Sequence, residues 1–147
     1  MQLTTYTDYS LRLLLYLAVQ PEEELSSVKE VAGIYNISYN HLTKVTYNLG
    51  KLGILETVKG RYGGIRLAKK PEDINIGEVV RRTEDNRGFV ECFDEGSNKC
   101  ILTPACKLKG VLKEALEAYL SVLDQYTLKD LTQNKSVLQQ LFGLHTK

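Results

Sequence analysis

Apolar residues recur through the first half of the chain in three bursts of helical period, separated by short polar turns. The first burst, Asp8 to Val19 (DYSLRLLLYLAV), is dominated by leucine; Thr7 is placed to cap its start and Pro21 stops it. Such a run predicts a first helix whose apolar residues all belong to a core. Asp8 and Arg12 fall outside that description: four residues apart, they share one face, as a surface ion pair would. In the second burst Ser27 and Glu30 make a capping box ahead of Val28, Val31 and Ala32. That helix ends near Asn36, a residue that tolerates the left-handed conformation of a tight turn. Ser38 then caps a third helix that turns Leu42, Val45, Leu49 and Leu52 inward. Two short helices joined by a tight turn predict a helix-turn-helix.

The inward set of the third helix leaves Tyr39, His41, Lys44 and Asn48 near its outer side, with Ser38 and Asn40 exposed in the first turn. In a helix-turn-helix the N-terminal part of this helix enters the major groove, where such side chains bond base edges and phosphates. After Gly53 the pattern shortens to two strands, Ile54 to Val58 and Ile65 to Ala68, around a glycine-rich turn. A hairpin tip carrying Lys59, Arg61 and Tyr62 suits a wing lying along DNA, with Arg61 able to enter a narrow minor groove. Gly63, with Gly60 and Gly64, serves the bend, because no nucleotide-binding loop surrounds these glycines.

Beyond the wing, Pro71 opens a helical stretch through Ile76, Val79 and Val80 to Thr83, the connector to an irregular loop. From about Pro104 a long helix carries Leu108, Leu112, Ala115, Leu116, Tyr119, Val122, Leu123 and Tyr126 at helical spacing. At 1.5 Å per residue it extends about 35 Å, more than a small monomer's core covers, so it is expected to pair with its own copy. The fold class is therefore mainly α with a small β-wing. A winged helix-turn-helix domain over residues 1–83 precedes a cysteine-bearing loop over 84–106, a dimerisation helix over 107–127 and a C-terminal tail over 128–147. The tail holds one weakly amphipathic segment, SVLQQLFGL.

Composition sharpens this picture in two places. The formal net charge is only +1, yet residues 44–70 carry seven cationic side chains against Glu56 alone, while residues 83–95 carry five acids against Arg87. A nucleic-acid binder is recognised by such an uneven distribution rather than by its total. No stretch approaches the roughly 20 apolar residues of a membrane span, and no basic leader opens the chain, which places it in the cytoplasm. The second place is the cysteines. Cys92, Cys100 and Cys106 are the only three, with seven and five residues between them. An odd number cannot pair completely within one chain, so ligation or thiol chemistry is the better reading. Structural zinc sites use four ligands with close pairs, a pattern absent here. Wider gaps suit thiolates that reach different irons of a cubane cluster and leave one iron for a further ligand. Cys106 falls near the start of the long helix, where the dipole favours an anion.

Taken together, the opening TDYSLRLLLYLA, the helix-turn-helix from Val28 to Leu52, the wing motif KGRYGGIRLA and three cysteines before a long helix resemble one known group. It is the IscR, RirA and NsrR group of bacterial iron-sulfur winged-helix regulators, its nitric-oxide-sensing branch above all. The resemblance covers nearly the whole chain. It implies a homodimeric repressor on double-stranded operator DNA, with nitric oxide as the signal. It further implies a 4Fe-4S cluster, in preference to 2Fe-2S, held by Cys92, Cys100 and Cys106 with Asp8 of the partner subunit as fourth ligand. Asp8 and Arg12 then become a switch, Arg12 capturing Asp8 once the ligand is released. Within the same fold, iron or cluster status, or simple thiol oxidation, remain open as signals. A cluster carrier would have no use for the basic wing. An enzyme is disfavoured because His41 and His145 lie far from the cysteines in sequence, with no nucleophile-base pattern.

Overall fold

The computed structural model describes residues 2–85 and 88–144 of the chain. Arg87, counted above, and His145 lie outside the described residues. The elements are α1 (Thr5–Ala18), α2 (Val28–Tyr35), α3 (Tyr39–Lys51), β1 (Leu55–Val58), β2 (Gly64–Leu67), α4 (Ile76–Thr83), α5 (Lys107–Leu123) and α6 (Lys135–Leu141). This is the mainly α fold with a two-stranded wing. Its core is built where α1, α2, α3 and the wing meet: Leu13, Leu14, Val31, Leu42, Leu49 and Ile65 are each 1% exposed or less. Burying such a side chain contributes about 2 kcal/mol, which is what fixes the angle between the helices. Among the described residues, no helix is long and apolar enough to cross a membrane.

Local sequence explains most boundaries. Ser27 accepts the amide of Glu30 at the start of α2, Asn36 ends it in the left-handed region with φ 54°, and Ser38 accepts the amide of His41 to begin α3. At α1 the structure corrects the expected cap. Thr4, not Thr7, is the N-cap, and its side chain accepts from the amide of Thr7. The reason is tertiary: Thr7 is fully buried and spends its hydroxyl on Thr83 Oγ1, 2.9 Å away, at the end of α4.

β1 and β2 pair antiparallel, Leu55 opposite Leu67 and Val58 opposite Gly64. Ser26 adds a bridge to Ile65 through bonds of 2.9 and 2.8 Å, a third rung that ties the entry of α2 to the wing. A Cβ on Gly64 would lie 2.6 Å from the Ser26 carbonyl oxygen, so this close approach requires glycine.

The helical stretch expected from Pro71 divides in two. A 3-10 turn, Pro71–Asp73, is followed by extended residues at Ile74 and Asn75, and the Asn75 side chain caps α4. The Ile76 amide bonds to Tyr126 O and Ile74 O accepts from Leu128, so backbone claimed by this pairing cannot join a helix. α5 is also shorter than its apolar pattern. Pro104 sits in the preceding 3-10 turn and Asp124 ends the helix, leaving 17 residues. The tail then returns to the head: Leu128 is fully buried in its core, and Phe142 packs against Tyr16 and Tyr35.

Candidate nucleic-acid interface and cysteine loop

On α3, core packing and exposure divide cleanly by residue. Leu42, Val45 and Leu49 are buried, while Ser38, Tyr39, Asn40, His41, Lys44 and Asn48 are all exposed. Ser38 accepts the His41 amide, which leaves its own hydroxyl proton for another acceptor. Burial pushes the phenol of Tyr6 of α1 up, an effect that the neighbouring Asn48 side chain opposes. His41 has its ring 6.3 Å from that of Tyr9. Sequence reasoning missed Tyr47 and Lys51 on this face. Tyr47 is 64% exposed, and the Lys51 ammonium stands over its ring at 5.2 Å. The signal was available, since Tyr47 follows Lys44 by three residues and lies on the same helical stripe.

Beside α3 the wing tip projects Lys59, Arg61 and Tyr62 into solvent; Tyr62 is 85% exposed and the Arg61 guanidinium lies 5.6 Å from its ring. Gly63 is a backbone necessity, since a Cβ there would fall 2.0 Å from the Val58 carbonyl oxygen. At the base of the wing Arg66 bonds Glu56 at 3.0 Å, which holds that carboxylate below its usual range through the hydrogen bond and then the charge. Glu56 is thereby neutralised, and the tip keeps its positive field.

Cys92 lies in a 3-10 turn, Glu91–Phe93; Cys106 occupies the N-cap of α5, where no side chain caps the first amides; all three cysteines are free and half-buried. Cys100 is held by local bonds, its amide donating to Asn98 Oδ1 at 3.0 Å and its carbonyl accepting from Thr103 Oγ1 at 2.9 Å. Among the described residues, no three His, Cys, Asp or Glu side chains gather closely enough to hold a single metal ion. The loop joins the head where α1 begins. Glu84 accepts from the Thr4 amide at 2.6 Å, next to the Thr7 to Thr83 bond. One turn along α1, Arg12 grips Asp8 with two parallel bonds, Nε to Oδ1 at 3.0 Å and Nη2 to Oδ2 at 3.1 Å.

A recognition helix with a polar outer face, flanked by a cationic hairpin, defines a DNA-binding transcriptional regulator of the winged-helix class. Residues 3–134 match the Rrf2 family, described as an iron-dependent transcriptional regulator, and the chain belongs to that family. It is 72% identical over 144 residues to the HTH-type transcriptional regulator NsrR of Halalkalibacterium halodurans, covering 98% of this chain and 99% of the relative. To the regulator of the same name from Bacillus subtilis it is 60% identical, again over 98% and 99% of the two chains. Among solved structures it resembles T. potens IscR, with a TM-score of 0.72 and 25% identity over 91% of this chain and 88% of that one. Staphylococcus aureus CymR gives a TM-score of 0.71 and 26% identity over 88% and 97%. These relatives are regulators of transcription, not enzymes.

Proposed function

We infer that the chain is a homodimeric repressor that binds operator DNA through its two winged heads and senses nitric oxide through an iron-sulfur cluster. Cys92, Cys100 and Cys106, with Asp8 of the partner subunit, would hold that cluster. The observation that carries this reading is the cysteine loop: three free thiols, half-buried, hang from the joint between α4 and the first turn of α1. The donor set fits. Soft thiolates select iron-sulfur clusters, and a cubane needs thiolates on separate irons, so side chains that do not converge on one point remain suited to it. When bound, the cluster would supply iron able to react with a small diatomic ligand.

The chain's own residues supply the rest. Cys106 is the N-cap of α5, where no side chain caps the first amides. Asp8, a harder and weaker iron ligand than a thiol, is contested by Arg12, which already holds both carboxylate oxygens. Ligation and the ion pair compete for one side chain, and that competition is the switch. Leu108, Val111 and Val122, each more than half exposed, form with Ala115 an apolar stripe along α5 suited to a second copy. In such a dimer the two heads would engage half-sites about one helical turn apart, or a multiple of it.

The test joins anaerobic metal and sulfide analysis to mobility shifts on operator DNA before and after nitric oxide. The expected result is bound iron and sulfide with affinity lost on exposure; unchanged affinity removes the sensing role. The family's description as iron-dependent favours one second reading, response to iron or cluster status. Affinity that falls on iron chelation yet ignores nitric oxide would select it. Protein that stays colourless near about 400 nm after anaerobic purification would point instead to a thiol switch.

A further inference from the structure

The C-terminal helix takes part in none of the chemistry above, yet it touches the DNA-reading head at three points. Gln139 Nε2 donates to Val19 O at 2.8 Å, satisfying a carbonyl at the end of α1. Phe142, which follows α6, sets its ring edge-on to two tyrosines, 5.2 Å from Tyr16 of α1 and 5.6 Å from Tyr35 of α2. Tyr35 in turn donates its hydroxyl to Arg12 O at 2.7 Å, bridging α2 back to α1. Tyr35 is the last residue of α2, immediately before the left-handed Asn36 that aims α3. Burial pushes the Tyr35 phenol up to about 12, so it stays a neutral donor across the working range of pH.

We propose that α6 is a positioning element of the DNA reader: Phe142, wedged between Tyr16 and Tyr35, sets the angle at which the helix-turn-helix presents α3 to the major groove. Two features separate this role from ordinary core packing. Phe142 is only half-buried and packs against the core, whereas Leu13, Leu42 and Ile65 are fully buried inside it. The wedge also bears on the one turn whose geometry decides where the recognition helix points. Edge-to-face aromatic pairs are directional, so a smaller apolar side chain would fill part of the space without fixing the angle.

The distinction is measurable, because specific binding depends on groove fit while non-specific binding depends on phosphate charge. The probes are an operator duplex selected by the full-length protein from a random library, and a duplex of unrelated sequence. Phe142→Ala is expected to lower operator affinity about tenfold while non-specific affinity stays within about twofold. Phe142→Tyr, which keeps the ring edge, is expected to recover most of the loss. Gln139→Ala, a milder change at the rim, is expected to give a smaller loss of the same kind, keeping the test open should Phe142→Ala fold poorly. Sedimentation confirms an unchanged oligomeric state for each variant. Parallel loss on both duplexes, or no loss on either in a folded variant, overturns the proposal. Wild type and variants are compared in the same anaerobic, cofactor-loaded state without nitric oxide, and the ratio between the two duplexes reports the geometry of the head, whichever signal the protein senses.

Discussion

Asp8 shows how a single side chain acquires two partners. Its pair with Arg12 is exposed, 42% and 45% by side chain, and a surface pair of this kind is worth less than about 1 kcal/mol. A carboxylate held so weakly can be taken by a competing ligand. Asp8→Ala is expected to leave the three thiols able to retain iron and sulfide under anaerobic reconstitution, while changing the response to nitric oxide; an identical response would remove Asp8 from the ligand set. Asp124 is engaged differently. Arg81 bonds it through both terminal guanidinium nitrogens, Nη1 and Nη2, and that hydrogen bonding holds its carboxyl below the usual range. A folded pKa below the unfolded one means stabilisation that is full above the ordinary aspartate range and lost as pH falls through the folded value. Acid titration of unfolding should therefore show wild type and Asp124→Asn converging below that range; a gap that widens in acid would contradict the pairing. Gly77 lies against the same residue. An added Cβ would stand 2.8 Å from the Asp124 amide nitrogen, backbone that cannot rotate away. Gly77→Ala is expected to cost about 1–3 kcal/mol by separating α4 from α5, read as a lower midpoint in denaturant.

Among the elements, α3 and the wing present different chemistry to a DNA duplex. α3 offers hydrogen-bonding side chains of the kind that read base edges, whereas the wing offers charge on an exposed tip. Arg61→Ala should weaken binding most on operators with an AT-rich centre if the tip reads minor-groove width. Equal losses on every sequence, measured by mobility shift over a duplex series, would make Arg61 a phosphate contact. Boundaries of these elements were legible wherever the signal was local. The Ser27 cap on the Glu30 amide, the left-handed Asn36 and the Ser38 cap each act within four residues and appear as read. They failed where residues distant in the chain intervened. Thr7 looks like a cap in sequence but is claimed by Thr83, and the helix expected from Pro71 is interrupted because Ile74 and Ile76 pair with residues 126–128.

Across the whole molecule, α5 carries two apolar faces that its sequence pattern merged into one. Leu120 is buried and Leu112 and Leu116 are half-buried, while Leu108, Val111 and Val122 face solvent. The outer face is where a second copy would pack. Val111→Glu should convert a dimer to monomer in sedimentation and reduce operator affinity with it; a variant that remains dimeric would place the interface elsewhere. Because α5 meets α4, and α4 meets α1 through Thr83, α5 is linked by packing to the turn that carries Asp8.

Amphipathic period, caps and glycines act over a few residues, and for that reason the chain's sequence alone determined three head helices, a hairpin wing, the polar face of α3 and a cluster of thiols outside any zinc spacing. Tertiary structure decided what depends on residues far apart in the chain. It set the true start of α1, the break before α4, the two faces of α5 and the return of the tail, whose Leu128 completes the core and whose Phe142 braces α2. A weakly amphipathic tail carries no local mark of its destination, because the cavity it fills exists only once α1 and α2 have packed.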